Sequence, residues 1–199
     1  MKKSYSRVIR YAHWFNVPLL SIMMWSGVLI YWAHQAYYKL PSYLVEIFKI
    51  SYRLAEGMSW HFFTMWFYSI NGIIYLTYFF YTKRWRMIFP NKQSMRELIP
   101  FLIHNSSYEG IYNPAQRIAY TGAIFLNILA VISGLAIYKP VQLGILCTLL
   151  GGYESARLVH FLCLNGLGIF ILIHIIQVIR AGWKNFRLMI TGEEIEIKK

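Results

Sequence analysis

One apolar stretch, residues 156–180, constrains this chain more than any other feature. It reads ARLVHFLCLNGLGIFILIHIIQVIR and is long enough to cross the core of a bilayer, which takes roughly 20 helical residues at ~1.5 Å each. Its two histidines, His160 and His174, lie about four helical turns apart, so both rings point from nearly the same face with an axial offset of ~21 Å. Small residues stand between them, namely Asn165, Gly166 and Gly168. Such a helix can hold two flat, bulky groups, one above the other, each by a ring nitrogen.

Histidines in an apolar stretch of this length call for a functional explanation. In a water-soluble core a histidine is usually a hydrogen-bonded packing residue. Inside a membrane an ionisable group is costly, and it marks a functional site by default. Two histidines on one helical face therefore predict a binding role for this helix.

Composition places the chain among membrane proteins. Of its 199 residues, 57% are hydrophobic, which favours a single membrane domain over residues 1–199. The formal net charge of +12 is compatible with nucleic-acid binding. However, the basic residues cluster at the ends of apolar segments, so orientation in the lipid bilayer explains them better than nucleic acid does. The two cysteines, Cys147 and Cys163, form neither a CxxC nor a CxxCH motif, so any haem is held without a covalent bond, as haem b.

The hydropathy pattern predicts an all-α integral membrane protein, a four-transmembrane-helix bundle with short interfacial helices. The predicted spans cover about residues 13–33, 58–82, 115–138 and 156–180. The first span follows a basic N-terminus that resembles a signal peptide, but it is too long and lacks a clear cleavage site, so it is expected to be retained. The segments 41–57, 87–115 and 139–155 hold only short amphipathic or apolar pieces, which favours positions at the membrane surface.

The distribution of basic residues predicts the orientation. Four spans put both termini on one side of the membrane. Most of the 20 lysines and arginines lie in the N-terminus, in the region 83–117 and in the C-terminal tail. By the positive-inside rule, both termini of this multi-pass protein are cytoplasmic, in a bacterial inner membrane.

This topology pairs four histidines by depth. His61 opens the second span and His160 opens the fourth, both on the outer side. His13 begins the first span on the inner side, and His174 lies near the inner end of the fourth. The predicted pairs are therefore His61 with His160, and His13 with His174. Each pair supplies two axial ligands from different helices to one haem iron, and such bis-histidine haems carry electrons because no coordination site is left open.

Several motifs resemble a known family. They are AHW at the first span, the lone histidine opening the second, YNPAQ before the third and LVHFLCLNGLGIFILIHI in the fourth. On these motifs the sequence resembles the cytochrome b (gamma) subunit of respiratory formate dehydrogenase-N and the b-type cytochrome subunits of nickel–iron hydrogenases and thiosulfate reductases. The resemblance covers nearly the whole chain.

The resemblance implies two haems b on His13, His61, His160 and His174, and a quinone near the cytoplasmic haem. YNPAQ matches the family's quinone-site segment, which puts Asn113 and Gln116 beside a menaquinone or ubiquinone. The proline of YNPAQ departs from the formate dehydrogenase version. The chain is then expected to be an electron-transfer subunit that passes electrons between an extracytoplasmic redox partner (a hydrogenase, molybdoenzyme or iron–sulfur subunit) and the quinone pool.

Two alternatives remain open from the sequence. The same haems can serve a stand-alone quinone reductase that oxidises a small molecule such as superoxide. Alternatively, the histidines can form the relay of a haem-free proton-coupled transporter. His34, just past the first span, is a rival ligand for the outer haem, although a role beside a haem propionate or at the interface is favoured.

Overall fold

The computed structural model describes residues 2–3, 5–104, 112–192 and 195–196. These residues form eight helices and two very short strands. In chain order the elements are β1 (Lys2–Lys3), α1 (Arg7–Ala33), α2 (Ser42–Ile47), α3 (Leu54–Tyr81), α4 (Trp85–Ile88), α5 (Lys92–His104), α6 (Pro114–Tyr138), α7 (Gly144–Leu149), α8 (Tyr153–Thr191) and β2 (Ile195–Glu196). The prediction of an all-α membrane protein is confirmed, and the long helices α1, α3, α6 and α8 coincide with the four predicted spans to within a few residues at most ends.

Three of the long helices are both long and apolar enough to cross a membrane: Arg7–Ala33, Pro114–Tyr138 and the Tyr153–Trp183 part of α8. Helix α3 has 28 residues, a comparable length. It carries His61, Asn71 and several tyrosines and tryptophans among its apolar residues. A fourth crossing by α3 therefore remains a prediction.

The first compact unit in chain order, residues 6–78, is built on α1 and α3. The Asn71 side-chain amide donates to the Ala12 carbonyl at 3.0 Å. At the other end of the pair, a Cβ built on Gly57 would lie 2.7 Å from Leu29 Cβ. These two contacts show that α1 and α3 run antiparallel, and that they approach each other closely at Gly57.

The second unit comprises residues 1–5 and 79–199, and its main pair is α6 and α8. A Cβ on Gly166 of α8 would lie 3.0 Å from the Leu126 side chain of α6, and one on Gly134 of α6 would lie 3.1 Å from the His160 ring of α8. The two helices are therefore antiparallel as well. In the same unit β1 pairs antiparallel with β2, with Lys2 opposite Glu196.

The exposed side chains of the long helices are largely apolar, as expected for contact with lipid. Large apolar residues of α8 are exposed, including Ile169, Leu172, Ile173, Ile176 and Ile179. Contiguous exposed apolar surface of this kind marks a membrane or interaction surface. The buried residues, by contrast, include small polar ones such as Ser26 and Ser133, whose hydroxyls bond within the helices.

Local sequence accounts for the helix ends that matter below. Asn113 begins α6 with a capping box: its side chain accepts the Gln116 backbone N–H at 2.8 Å, and the Gln116 side chain accepts the Asn113 N–H at 3.1 Å. Pro114 follows at the first helical position, where a missing N–H costs nothing. The predicted interfacial segments contain the helices α2, α5 and α7 and the end of α4, and α5 accommodates Pro100 in its interior.

Candidate haem-binding site

The four predicted ligands lie on three of the long helices, two in each unit. His13 on α1 and His61 on α3 belong to the unit of residues 6–78, whereas His160 and His174 both belong to α8 in the other unit. All four rings are half-buried. Each predicted pair takes one histidine from each unit, so the pairing itself stays a prediction.

The spacing of the histidines within each unit is nearly the same. His61 lies level with Ser26 of α1, since the two side chains are in hydrogen-bond contact. Ser26 is between three and four helical turns along α1 from His13, which corresponds to ~20 Å. The offset between His160 and His174 along α8 is ~21 Å. Two histidines of the same unit are thus too far apart to bind one iron atom, but each unit presents a ligand at each of two levels.

A buried serine fixes the proton on the His61 ring. The Ser26 hydroxyl donates its one hydrogen to backbone carbonyls of α1, lying 2.7 Å from the Ile22 oxygen and 3.1 Å from the Met23 oxygen. Its oxygen lies 2.9 Å from His61 Nδ1. The Ile22 carbonyl is the nearest acceptor for the hydroxyl hydrogen, which leaves the Ser26 oxygen to accept Nδ1–H from His61. In a neutral imidazole, the lone pair then belongs to Nε2.

The same arrangement occurs at His160. Ser133 Oγ donates to the Leu129 carbonyl at 2.6 Å and lies 3.2 Å from His160 Nδ1. The Ala130 carbonyl, which can only accept, lies 3.0 Å from the same nitrogen. Nδ1 therefore carries the proton at His160 too, and Nε2 has the lone pair that a metal needs.

Glycines lie beside both rings. A Cβ on Gly27 would stand 3.7 Å from Cε1 of His61, and one on Gly134 would stand 3.1 Å from Cε1 of His160. Any larger residue at position 134 would press on the His160 ring. The two sites are thus built alike, from a Ser–Gly pair on one helix and a histidine on its antiparallel neighbour.

Aromatic rings contact the two histidines predicted for the inner level. The His174 ring stacks on Phe170 with centroids 5.7 Å apart and an interplanar angle of 18°. The His13 ring meets Trp14 edge-on at 5.3 Å. His34, the rival ligand, lies exposed at the C-terminal end of α1.

The donor set fits haem b. Imidazole nitrogens are common axial ligands of haem iron, and the serine-bound tautomer of His61 and His160 presents Nε2 for that purpose. Metal-ligating histidines characteristically donate their other N–H to an oxygen acceptor. Among the described residues, no group of three or more His, Cys, Asp or Glu side chains is arranged to hold a bare metal ion.

Sequence reasoning missed Ser26, Ser133 and Gly57. A signal for the serines was present, because SGVLIY at positions 26–31 and SGLAIY at positions 133–138 are near repeats. The first repeat lies near the C-terminal end of α1, which precedes α3 in the chain. The second repeat forms the C-terminal end of α6, which precedes α8. Comparison of the first and third spans with each other would have found the pair.

Comparison with known proteins defines the class. Residues 4–192 match the family model of the prokaryotic cytochrome b561, and the chain belongs to this family. It is a membrane haem protein of b type with a role in electron transport, which confirms the predicted class. The haem-free transporter is thereby set aside.

A curated relative narrows the context. Over 175 residues, covering 85% of this chain and 87% of the relative, the sequence is 35% identical to a protein of Azospira oryzae that is provisionally named protein-methionine-sulfoxide reductase subunit YedZ1.

Proposed function

We propose that the chain is a diheme electron conduit between a quinone and an extracytoplasmic redox subunit. In this proposal, His61 and His160 bind the outer haem, and His13 and His174 bind the inner one. The observation that carries it is the matched spacing of ~20 Å between the two histidines of each unit. That spacing gives each of two haems one ligand from each unit, and a two-level arrangement is what transfer across a membrane requires.

Each part of the chain has a defined task. When bound, haem b supplies a one-electron carrier whose iron changes oxidation state without an open coordination position. The histidines hold it, the serine hydroxyls fix the tautomer of two of them, and the apolar helix faces keep the site within lipid. The predicted fourth crossing by α3 and the cytoplasmic termini belong to the same proposal. The antiparallel pairing of β1 and β2, at opposite ends of the chain, supports an even number of crossings.

The name of the Azospira oryzae relative supports a particular kind of partner. That protein is named as a subunit of a reductase acting on methionine sulfoxide in proteins. We extend this to the present chain and propose a reductase subunit outside the bacterial inner membrane as its partner. Since a reductase consumes electrons, the quinol is the donor, and electrons leave the chain at the outer haem.

Haem counting tests the proposal. The purified protein should contain about two haems b per chain in a pyridine haemochrome assay, one for each pair of histidines. His61→Ala should remove the outer haem and leave about one. His34→Ala is the matched control, because this exposed histidine is not one of the four proposed ligands, and it should leave about two.

Reduction by quinol separates the two haems. In His61→Ala the remaining haem should still be reduced by quinol, whereas exchange with the partner should fall steeply. His13→Ala should give the converse. One haem per wild-type chain, or a His61→Ala variant that keeps both haems, would contradict the proposal. Loss of quinol reduction in His61→Ala, with exchange to the partner intact, would invert the inner and outer assignments.

A further inference from the structure

We propose that Ser26 and Ser133 are positioning residues that hold the two axial histidines of a single haem and set its reduction potential. The inference rests on the proposed ligation by His61 and His160. It adds that both histidines proposed for this haem donate Nδ1–H to a buried serine.

Burial makes the two serine contacts strong. Ser26 is 1% exposed and Ser133 is 0% exposed. Both are also surrounded by apolar helices, where a hydrogen bond is stronger than in water. Each hydroxyl is pre-oriented because its hydrogen is committed to a carbonyl of its own helix. Its lone pairs are therefore fixed toward the histidine before any haem binds.

The same construction in both units argues against chance. Serines in transmembrane helices commonly donate to the carbonyl four residues back, and that bond alone implies no function. Here, two such serines each meet Nδ1 of a predicted ligand, and each is followed by a glycine that faces the same ring. A packing role explains a small residue at these positions, but it does not explain a hydroxyl oxygen in contact with the same ring nitrogen twice.

The hydrogen bonds have a predictable electronic effect. Donation of Nδ1–H to an acceptor raises the basicity of the imidazole as a metal ligand. A more basic ligand favours ferric over ferrous iron and so lowers the reduction potential. Removal of either serine hydroxyl should raise the potential of the haem to which that histidine is bound, while the second haem stays unchanged.

Redox titration of the purified full-length protein tests this. The variants are Ser26→Ala and Ser133→Ala, with Ser26→Thr as the conservative replacement. Ser21→Ala is the matched control, since the Ser21 hydroxyl donates to the Val17 carbonyl at 2.8 Å in the same helix but lies on an exposed position. The readouts are haem content, the midpoint potential of each haem, and the low-temperature electron paramagnetic resonance spectrum of the oxidised protein.

We expect Ser26→Ala and Ser133→Ala to raise the midpoint potential of the same haem and to shift its resonance signal. The rise should be smaller in Ser133→Ala, and haem should be retained there, because the Ala130 carbonyl still accepts the Nδ1 hydrogen of His160. Ser26→Thr, which keeps a hydroxyl, should have the wild-type midpoint potential, and Ser21→Ala should leave haem content and both potentials unchanged. Haem loss in Ser26→Ala that Ser26→Thr reverses also supports the positioning role, and loss that Ser26→Thr does not reverse counts against it.

Other outcomes separate this inference from the proposed function. Unchanged potentials in both alanine variants, while His61→Ala still removes one haem, would overturn the serine role and leave the ligation intact. Shifts of two different haems would overturn the assignment of both serines to one haem. If His61→Ala removed no haem, the ligation proposal would fail, and the serine role with it.

Discussion

Replacement of Gly57 by alanine should separate α1 from α3 and disturb His61 without touching it. An added Cβ would lie 2.7 Å from Leu29 Cβ and 3.1 Å from the Ser26 carbonyl oxygen. Carbon atoms pack at about 3.5–4.0 Å, so the helices must move apart locally by about 1 Å. Over-packing of this kind costs about 1–3 kcal/mol.

The displacement would reach the site because Gly57 and His61 are four residues apart, on the same face of α3. The 2.9 Å contact between Ser26 Oγ and His61 Nδ1 would lengthen to about 4 Å, beyond hydrogen-bonding distance. Gly57→Ala is thus expected to lower the thermal midpoint and to raise the reduction potential of one haem, as Ser26→Ala does.

Gly72→Ala provides the control within the same helix. A Cβ there would meet nothing within 4 Å, so the change should be neutral or stabilise the helix by up to about 1 kcal/mol. The assay is thermal denaturation of both purified variants, followed by haem absorbance and combined with a redox titration. The reasoning would be refuted if Gly57→Ala matched Gly72→Ala in thermal midpoint, haem content and both potentials.

Two further predictions concern the other unit. Gly134→Ala should displace the His160 ring, because the added Cβ would stand 3.1 Å from Cε1. The displacement should shift the electron paramagnetic resonance signal of one haem. Gly122→Ala is the control and should leave the spectrum unchanged, because the new Cβ would meet nothing within 4 Å. Asn113→Ala should weaken quinone turnover with both haems bound, but it also removes a helix cap worth about 0.5–2 kcal/mol. Asn113→Ser keeps the cap but removes the carboxamide. Slower quinone turnover in this variant would show that the carboxamide contacts the quinone, whereas normal turnover would assign Asn113 to capping alone.

The sequence was sufficient to predict the long helices and which of them carries each candidate ligand. Apolar runs of spanning length follow directly from the thickness of a bilayer. His160 and His174 could be assigned to one helical face, because the 3.6-residue period fixes their directions. The span predicted as residues 58–82 corresponds to α3, which begins at Leu54, and the span predicted to end at 180 continues as α8 to Thr191.

The contacts between helices lay beyond such reasoning. A serine in an apolar helix is interpreted as a packing residue unless the residue that it contacts on the partner helix is known. Hydrophobic periodicity does not identify that residue. For the same reason Gly57 was not distinguished from Gly72, although only Gly57 lies at a close helix approach. For Asn113 and Gln116 the resemblance predicts a position beside a quinone, which stays a prediction, and the structure adds a capping box that the sequence reasoning had not identified.

The non-helical backbone at Gly182 sets the direction of the last turns of α8. A straight helix of 39 residues would measure about 58 Å, roughly twice the hydrocarbon thickness of a bilayer. Gly182 instead has φ 78° and ψ 170°, a combination that is essentially restricted to glycine. Beyond it the chain resumes its helix and buries Leu188 to 1% exposure. A single pair of backbone angles therefore ends the straight rod at Gly182 and gives the last turns of α8 another direction, in which Leu188 is buried.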